Sequence, residues 1–178
     1  MSQISYSILF REDEQDILKN WWGELDDNRG DRAILRRAGS ADDVLLTPAF
    51  SRFLKSMPAH WSEPNRIYGS AMVAGLLGRV KQCTNESFAK SLALPRKAGG
   101  KAMMNELRFR QLQKSRTTDE FFIRMSRAIA LIDGKVDVLS VADGVLLWLK
   151  EQRQSLDRNP SRRLAVRWAF EYYSNTND

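Results

Sequence analysis

The chain has 178 residues, 43% of them hydrophobic, enough for one buried core but short for two independent ones. Its formal net charge is +6, and its one cysteine, Cys83, excludes an intrachain disulfide and points to a reducing compartment, the cytoplasm. The segment Met1 to Phe10 lacks a basic lead and runs into Glu12, Asp13 and Glu14, so no signal peptide is expected; apolar runs such as Ala71 to Leu77 fall far short of the ~20 residues that span a bilayer.

Alternation suggestive of a strand is confined to Ile4 to Leu9, and beyond it apolar residues recur near the ~3.6-residue helical period. Ile17, Leu18, Trp21, Trp22 and Leu25 share one stripe of a first amphipathic helix that Asp26, Asp27 and Asn28 end. Thr47 and Pro48 read as an N-cap with proline in the first turn, Phe50, Phe53 and Leu54 as the buried face, and Pro58 as the stop. Pro64 opens a central helix to Val80, whose small and apolar residues imply burial on most sides. Ser87 to Leu94 makes another turn or two before Pro95, and Arg96 to Lys101, with Gly99 and Gly100, reads as a basic loop.

Met103, Met104, Leu107 and Leu112 predict the next stripe, with Phe109 outside it and Lys101, Arg108 and Lys114 pointing elsewhere. Thr118 and Asp119 start a helix in which Phe121, Phe122, Met125, Ile129 and Ile132 repeat until Gly134 supplies the C-terminal stop. Val141, Val145, Leu146, Trp148 and Leu149 mark another. Asn159 and Pro160 cap the last, in which Leu164, Ala165, Trp168 and Tyr172 face inward and Arg162, Arg163 and Arg167 outward. The fold class is therefore all-α: an irregular helical bundle of about eight to nine helices in a single domain.

The chemistry of catalysis is thinly represented. His60 has no second histidine or cysteine near it in sequence and reads as a structural or surface residue, and Cys83 reads as a small packed side chain. Asp26, Asp27 and Asp31 surround Asn28 and Gly30, where a solvated turn is expected instead of a metal site. Gly99-Gly100-Lys101 is no phosphate loop, because Pro95 stands where the upstream glycine is needed and Ala102 where Ser or Thr must follow the lysine. No catalytic residue, metal site or cofactor is expected.

Charge distribution is more informative. Residues 79–127 hold 12 Lys or Arg against 4 Asp or Glu, while 1–60 hold 8 against 10, 61–78 one of each and 128–178 seven of each. The whole excess thus sits in one middle segment, where cations alternate with the apolar stripe. Packing that stripe leaves Arg and Lys on outer faces, where they suit phosphate contacts that carry affinity without sequence information. Two rival readings are a helical DNA-binding transcriptional regulator, which would prefer one duplex sequence, and a structural helical protein whose cations only solubilise it.

Several strings in order resemble the CasB family, the small subunit of type I-E CRISPR Cascade. They are Trp21-Trp22 with Leu25, Arg32 to Arg37, Pro48-Ala49-Phe50, Ser87 to Ala93, Glu106 to Leu112, and Arg167 to Tyr173. The resemblance covers about residues 15–174, leaving 1–14 as an N-terminal extension and 175–178 as a C-terminal tail. It implies a non-catalytic subunit, present as two copies beside backbone and large subunits, with a basic track for guide RNA and for target and displaced DNA strands. Carried over residue by residue, the track comprises Arg36, Arg37, Arg66, Arg108, Arg110, Lys114, Arg116, Arg127 and Arg153; for Arg36 and Arg37, outside the positive segment, the resemblance is the main reason. Arg96, Lys97 and Lys101 are further possible contacts, in a loop that does not align.

Overall fold

A computed structural model describes residues 4–176, so the expected tail at 175–178 and the extension at 1–14 lie partly outside the described residues. The described chain forms ten α-helices, one or two more than expected. They are α1 (Glu12–Glu24), α2 (Arg29–Arg37), α3 (Ala41–Leu45), α4 (Pro48–Ser56), α5 (Ile67–Leu77), α6 (Phe88–Ala93), α7 (Glu106–Gln113), α8 (Thr118–Leu131), α9 (Val138–Arg153) and α10 (Leu164–Tyr173). Single 3₁₀ turns occupy Ala59–Ser62 and Pro160–Arg162. The sheet is two residues deep: β1 (Gln82–Cys83) runs parallel to β2 (Lys135–Val136), pairing Gln82 with Lys135 and Cys83 with Val136.

The bundle is organised around α5. Every residue from Gly69 to Leu77 is buried, as the lack of a polar face in that segment requires, and α2, α3, α4, α8 and α9 pack around it. Its first turn starts later than Pro64, because the Glu63 carbonyl accepts from the N–H groups of Arg66 and Ile67 and closes a separate turn first. Gly75 permits the closest approach: a Cβ there would lie 2.8 Å from Val44 Cγ2 and 3.0 Å from the Phe122 ring.

Five of the ten helices start on a side-chain cap, but Asn159, expected to cap the last helix, caps the separate 3₁₀ turn Pro160–Arg162, and α10 starts at Leu164 without one. Thr47 Oγ1 accepts from the Phe50 N–H with Pro48 in the first turn of α4. In α8 the cap is Thr117, one residue before the expected start, with its oxygen on the Glu120 N–H. Gly134 stops α8 with φ +70°, and its carbonyl accepts from the N–H groups of Lys81 and Gln82, so the helix stop also seeds the β1–β2 pair. Asp137 caps α9 through the Ser140 N–H and also accepts from the Tyr6 hydroxyl at 2.7 Å.

Four local expectations are corrected. The turn after α1 closes by Asn28, and Gly30 and Asp31 belong to α2, where Asp31 pairs with Arg52 of α4. In α7, Leu107 is 67% exposed and Phe109 is fully buried. The reason lies upstream: Met103 and Met104 donate their N–H groups to Leu94 and Leu92 in an extended return, with a bridge between Pro95 and Ala102. They therefore cannot extend the α7 stripe, and Asn105 caps the helix in a register that turns Phe109 and Leu112 inward. In α10, Ala165 is exposed while Leu164, Trp168 and Tyr172 are buried. Cys83 is exposed, at the edge of the small sheet.

Ile4 to Leu9 forms no strand. It is held instead by Asp143, a buried carboxylate inside the apolar face of α9, which accepts from the backbone N–H groups of Ser7, Ile8 and Leu9 at 3.0, 2.6 and 2.9 Å. Arg167 of α10 lies 3.6 Å from the same carboxylate and donates to the Ser5 carbonyl and the Ser7 hydroxyl. Leu9, 1% exposed, joins the core as a result. Among the described residues no helix is long and apolar enough to cross a membrane.

Candidate nucleic-acid interface

The nine residues of the expected track are all exposed, and the fold sorts them into three groups. The first surrounds the α7–α8 turn. Arg108 stands on the outer face of α7, Lys114 is its C-cap, Arg116 follows in the turn, and Arg127 shares the exposed stripe of α8 with Asp119, Ile123 and Ala130. These four cations have no ion-pair partner among the described residues. Arg110, the fifth, is paired with Glu106 one turn earlier, and the Tyr173 hydroxyl beside it, followed by Glu106, raises its pKa.

This turn is rigid. Arg124 of α8 reaches back to donate to the Gln111 carbonyl at 2.6 Å and to the Ser115 hydroxyl at 3.2 Å, while pairing with Glu120 at 2.6 Å. The Arg116 N–H is in turn held by Glu120 Oε2 at 2.8 Å. The backbone of the turn is thus fixed by carboxylate and guanidinium contacts, while the Arg116 side chain stays in solvent. Phe109 anchors α7 from below, stacked on Tyr172 with ring centroids 4.0 Å apart, and so has no face to offer a base.

The second group is Arg36 and Arg37 in the last turn of α2, where cations suit the negative helix end. Directly beneath is Arg79, which the sequence counts with the positive segment but which the fold consumes. Its guanidinium donates to the carbonyls of Gly75, Leu35 and Ala38 and lies over the Phe122 ring at 5.2 Å. Burial, with a smaller push from the Arg36 charge, lowers its pKa to about 10, so it remains charged at neutral pH.

The third group is Arg66, at the N-cap of α5, and Arg153, at the end of α9. Arg153 donates to the Asn65 carbonyl, which brings both guanidinium groups to one rim. Arg66 keeps only a 3.6 Å exposed contact with Glu63, a pairing that contributes little. The rim encloses a cleft of about 440 Å³ that also holds Lys150, His60 and Glu14. Sequence reasoning passes over Lys150 and Glu14; a cation three residues before Arg153 and a carboxylate in a helical stripe position are the signals that point to them.

Within residues 79–127, Lys90, Arg96, Arg110 and Arg124 are ion-paired, with Glu86, Asp133, Glu106 and Glu120. Arg79 is half-buried on carbonyls, and Lys81, Lys97, Lys101, Arg108, Lys114, Arg116 and Arg127 remain exposed with no ion pair among the described residues. Local carboxylates therefore leave most of the segment's excess charge facing water. Among the described residues, no group of three or more His, Cys, Asp or Glu is arranged to hold a metal ion. His60 instead shares Glu14 Oε1 with the Trp61 indole N–H, at 2.7 and 2.6 Å.

Comparison with known proteins bears on this arrangement. A family model described as CRISPR-associated protein Cse2 matches residues 31–173, which includes all three groups of cations. One relative, the CRISPR-associated protein Cse2 of Thermus thermophilus, is 32% identical over 81 residues, 46% of this chain and 41% of the relative, so the match spans less than half of that protein's length. No solved structure matches the chain. With four fifths of its length matched by the family model, the chain belongs to the CRISPR-associated Cse2 family, which is the CasB family that its sequence motifs resemble.

Proposed function

We propose that this chain is the non-catalytic small subunit of a type I-E CRISPR Cascade surveillance complex, where it holds nucleic-acid backbone through exposed cations. In this role it steadies guide RNA and target strand and retains the displaced DNA strand once the duplex has opened, beside backbone and large subunits and a second copy of itself. The observation that carries the reading is the α7–α8 group: four exposed cations, Arg108, Lys114, Arg116 and Arg127, without ion-pair partners among the described residues, on a turn whose backbone is fixed. Cations carried on a braced backbone present their charges together, and contacts to phosphate are indifferent to base sequence. Arg36 and Arg37, and Arg66 with Arg153, extend the same function to two further points of backbone contact.

The test is retention of opened target DNA by a reconstituted complex carrying Arg108→Glu, Arg116→Glu and Arg127→Glu together. Binding should fall by about tenfold or more, because three phosphate contacts become repulsive. The melting temperature should stay within a degree or two, since exposed cations contribute little to folding. Unchanged retention would refute the reading, and a marked preference of the isolated chain for one duplex sequence would favour a transcriptional regulator.

A further inference from the structure

We infer that the cleft between α5, α9 and the segment before α1 is a binding site for a nucleoside phosphate bearing an amino group on its base. The observation that points there is an unfinished carboxylate. Glu14 is 9% exposed, and both of its hydrogen bonds, from Trp61 Nε1 and His60 Nε2, end on Oε1. Oε2 has no hydrogen-bond partner among the described residues, and it is not sealed from solvent, because Glu14 lines the cleft. Its accepting capacity is open to a donor that enters the cleft.

The rest of the cleft specifies what carries that donor. The apolar part of its wall comes from three elements: Leu146 and Leu149 of α9, Gly69 of α5, and Ile8 and Leu9 of the incoming segment. Gly69 lies close against this wall, where a Cβ would sit 3.0 Å from Leu149 Cδ1 and 3.3 Å from Leu146 Cδ2. Its volume, about 440 Å³, lies in the ~300–1,000 Å³ range of small-ligand sites. At the rim stand three cations, Arg66, Lys150 and Arg153, and Arg153 is braced by the Asn65 carbonyl.

A cleft lined by leucines, a carboxylate acceptor and three cations matches a flat base joined to phosphate. The exocyclic amine of adenine, cytosine or guanine supplies a donor for Oε2, and carboxylates accept from cytosine N4 in the same way in known base readout. Uracil and thymine fit poorly: their N3–H is flanked by two carbonyl oxygens that would face the carboxylate. The nucleotide could be free or could be one residue of a strand, and only the second source rests on the function proposed above.

The experiment is equilibrium binding of AMP, CMP, UMP and adenosine to the full chain, with ten-residue deoxyadenosine and thymidine strands as the second arm. AMP and CMP should bind at least about tenfold more tightly than UMP, and AMP more tightly than adenosine. If mononucleotides fail but the deoxyadenosine strand binds better than the thymidine strand, the site takes a nucleotide within a strand. Two variants report on the site itself. Leu146→Trp fills the cleft and should abolish the base preference. Glu14→Gln keeps an oxygen for Trp61 and turns an amide N–H₂ to the cleft, so the preference should shift toward UMP, a reversal that loss of structure would not produce. Arg66→Glu with Arg153→Glu changes only exposed groups and should remove the advantage of AMP over adenosine.

No base preference in either arm, or a preference unaffected by Leu146→Trp and Glu14→Gln, overturns the inference. Strand binding that ignores the cleft variants yet is lost on reversing Arg108, Arg116 and Arg127 would overturn this site alone and leave the proposed function standing.

Discussion

Phe109 sits between two arginines, where its position in sequence invites a base-stacking role, yet it is fully buried against Tyr172. Replacing it with alanine should cost about 3–5 kcal/mol of folding stability, measured by urea denaturation, whereas Leu107→Ala should change it by less than about 0.5 kcal/mol. Similar costs at both positions would contradict the register of α7. Paired carboxylates give a second check. Arg52 holds the Asp31 carboxyl below its ordinary value, so the pair stabilises the fold above the unfolded pKa of ~4, and that contribution disappears as pH falls through the lower folded value. Asp31→Asn should remove this part of the acid dependence while costing ~1 kcal/mol or less at neutral pH, because Arg52 is largely exposed. Asp137 works in the opposite sense: burial raises its pKa, so its protonated form favours the fold at low pH, and that support is lost as pH rises through the raised value. None of these partners is visible in sequence, because Asp31 meets Arg52, and Tyr6 meets Asp137, only after the chain has folded back.

Helices with a strong cap and a clean stripe are legible from the residues alone. The Thr47-Pro48 start of α4, the uniformly apolar α5 and the Gly134 stop of α8 all lie within a few residues of where local chemistry puts them. What local chemistry cannot supply is register that depends on tertiary pairing. Met103 and Met104 have helical spacing with Leu107, but their backbone is engaged by Leu92 and Leu94, and α7 starts in a different phase. The short α2 and α3 escape a periodicity reading for a related reason: α2 buries only Leu35 fully and owes its place to packing on α4 and α5. For the segment before α1, the signal that periodicity misses is the carboxylate of Asp143 among otherwise apolar positions of α9. Asp143→Ala should release that segment, leaving three backbone N–H groups without an acceptor and costing about 3 kcal/mol or more. Hydrogen exchange should then accelerate at Ser7, Ile8 and Leu9 while the amides of α5 stay protected. Unchanged exchange at those three would show that Asp143 is not what holds the segment.

At the scale of the whole molecule, the excess positive charge is legible in sequence as a middle segment, but its division is not. The fold ties Arg79 to backbone carbonyls, pairs Lys90, Arg96, Arg110 and Arg124, and leaves Arg108, Lys114, Arg116 and Arg127 around one braced turn. It also gathers Arg66 and Arg153, 87 positions apart in sequence, on one rim. The central claim is that the exposed cations bind phosphates irrespective of base sequence, and counterion release makes that claim quantitative. The direct measurement is affinity of the reconstituted complex for opened target DNA across a series of salt concentrations, with the native chain and with Arg108→Gln, Arg116→Gln and Arg127→Gln combined. Each lost contact to a single strand should make the plot of log affinity against log salt shallower by ~0.7, so the triple variant should lose about two units of slope on any sequence tested. Equal slopes for the two chains would contradict the account.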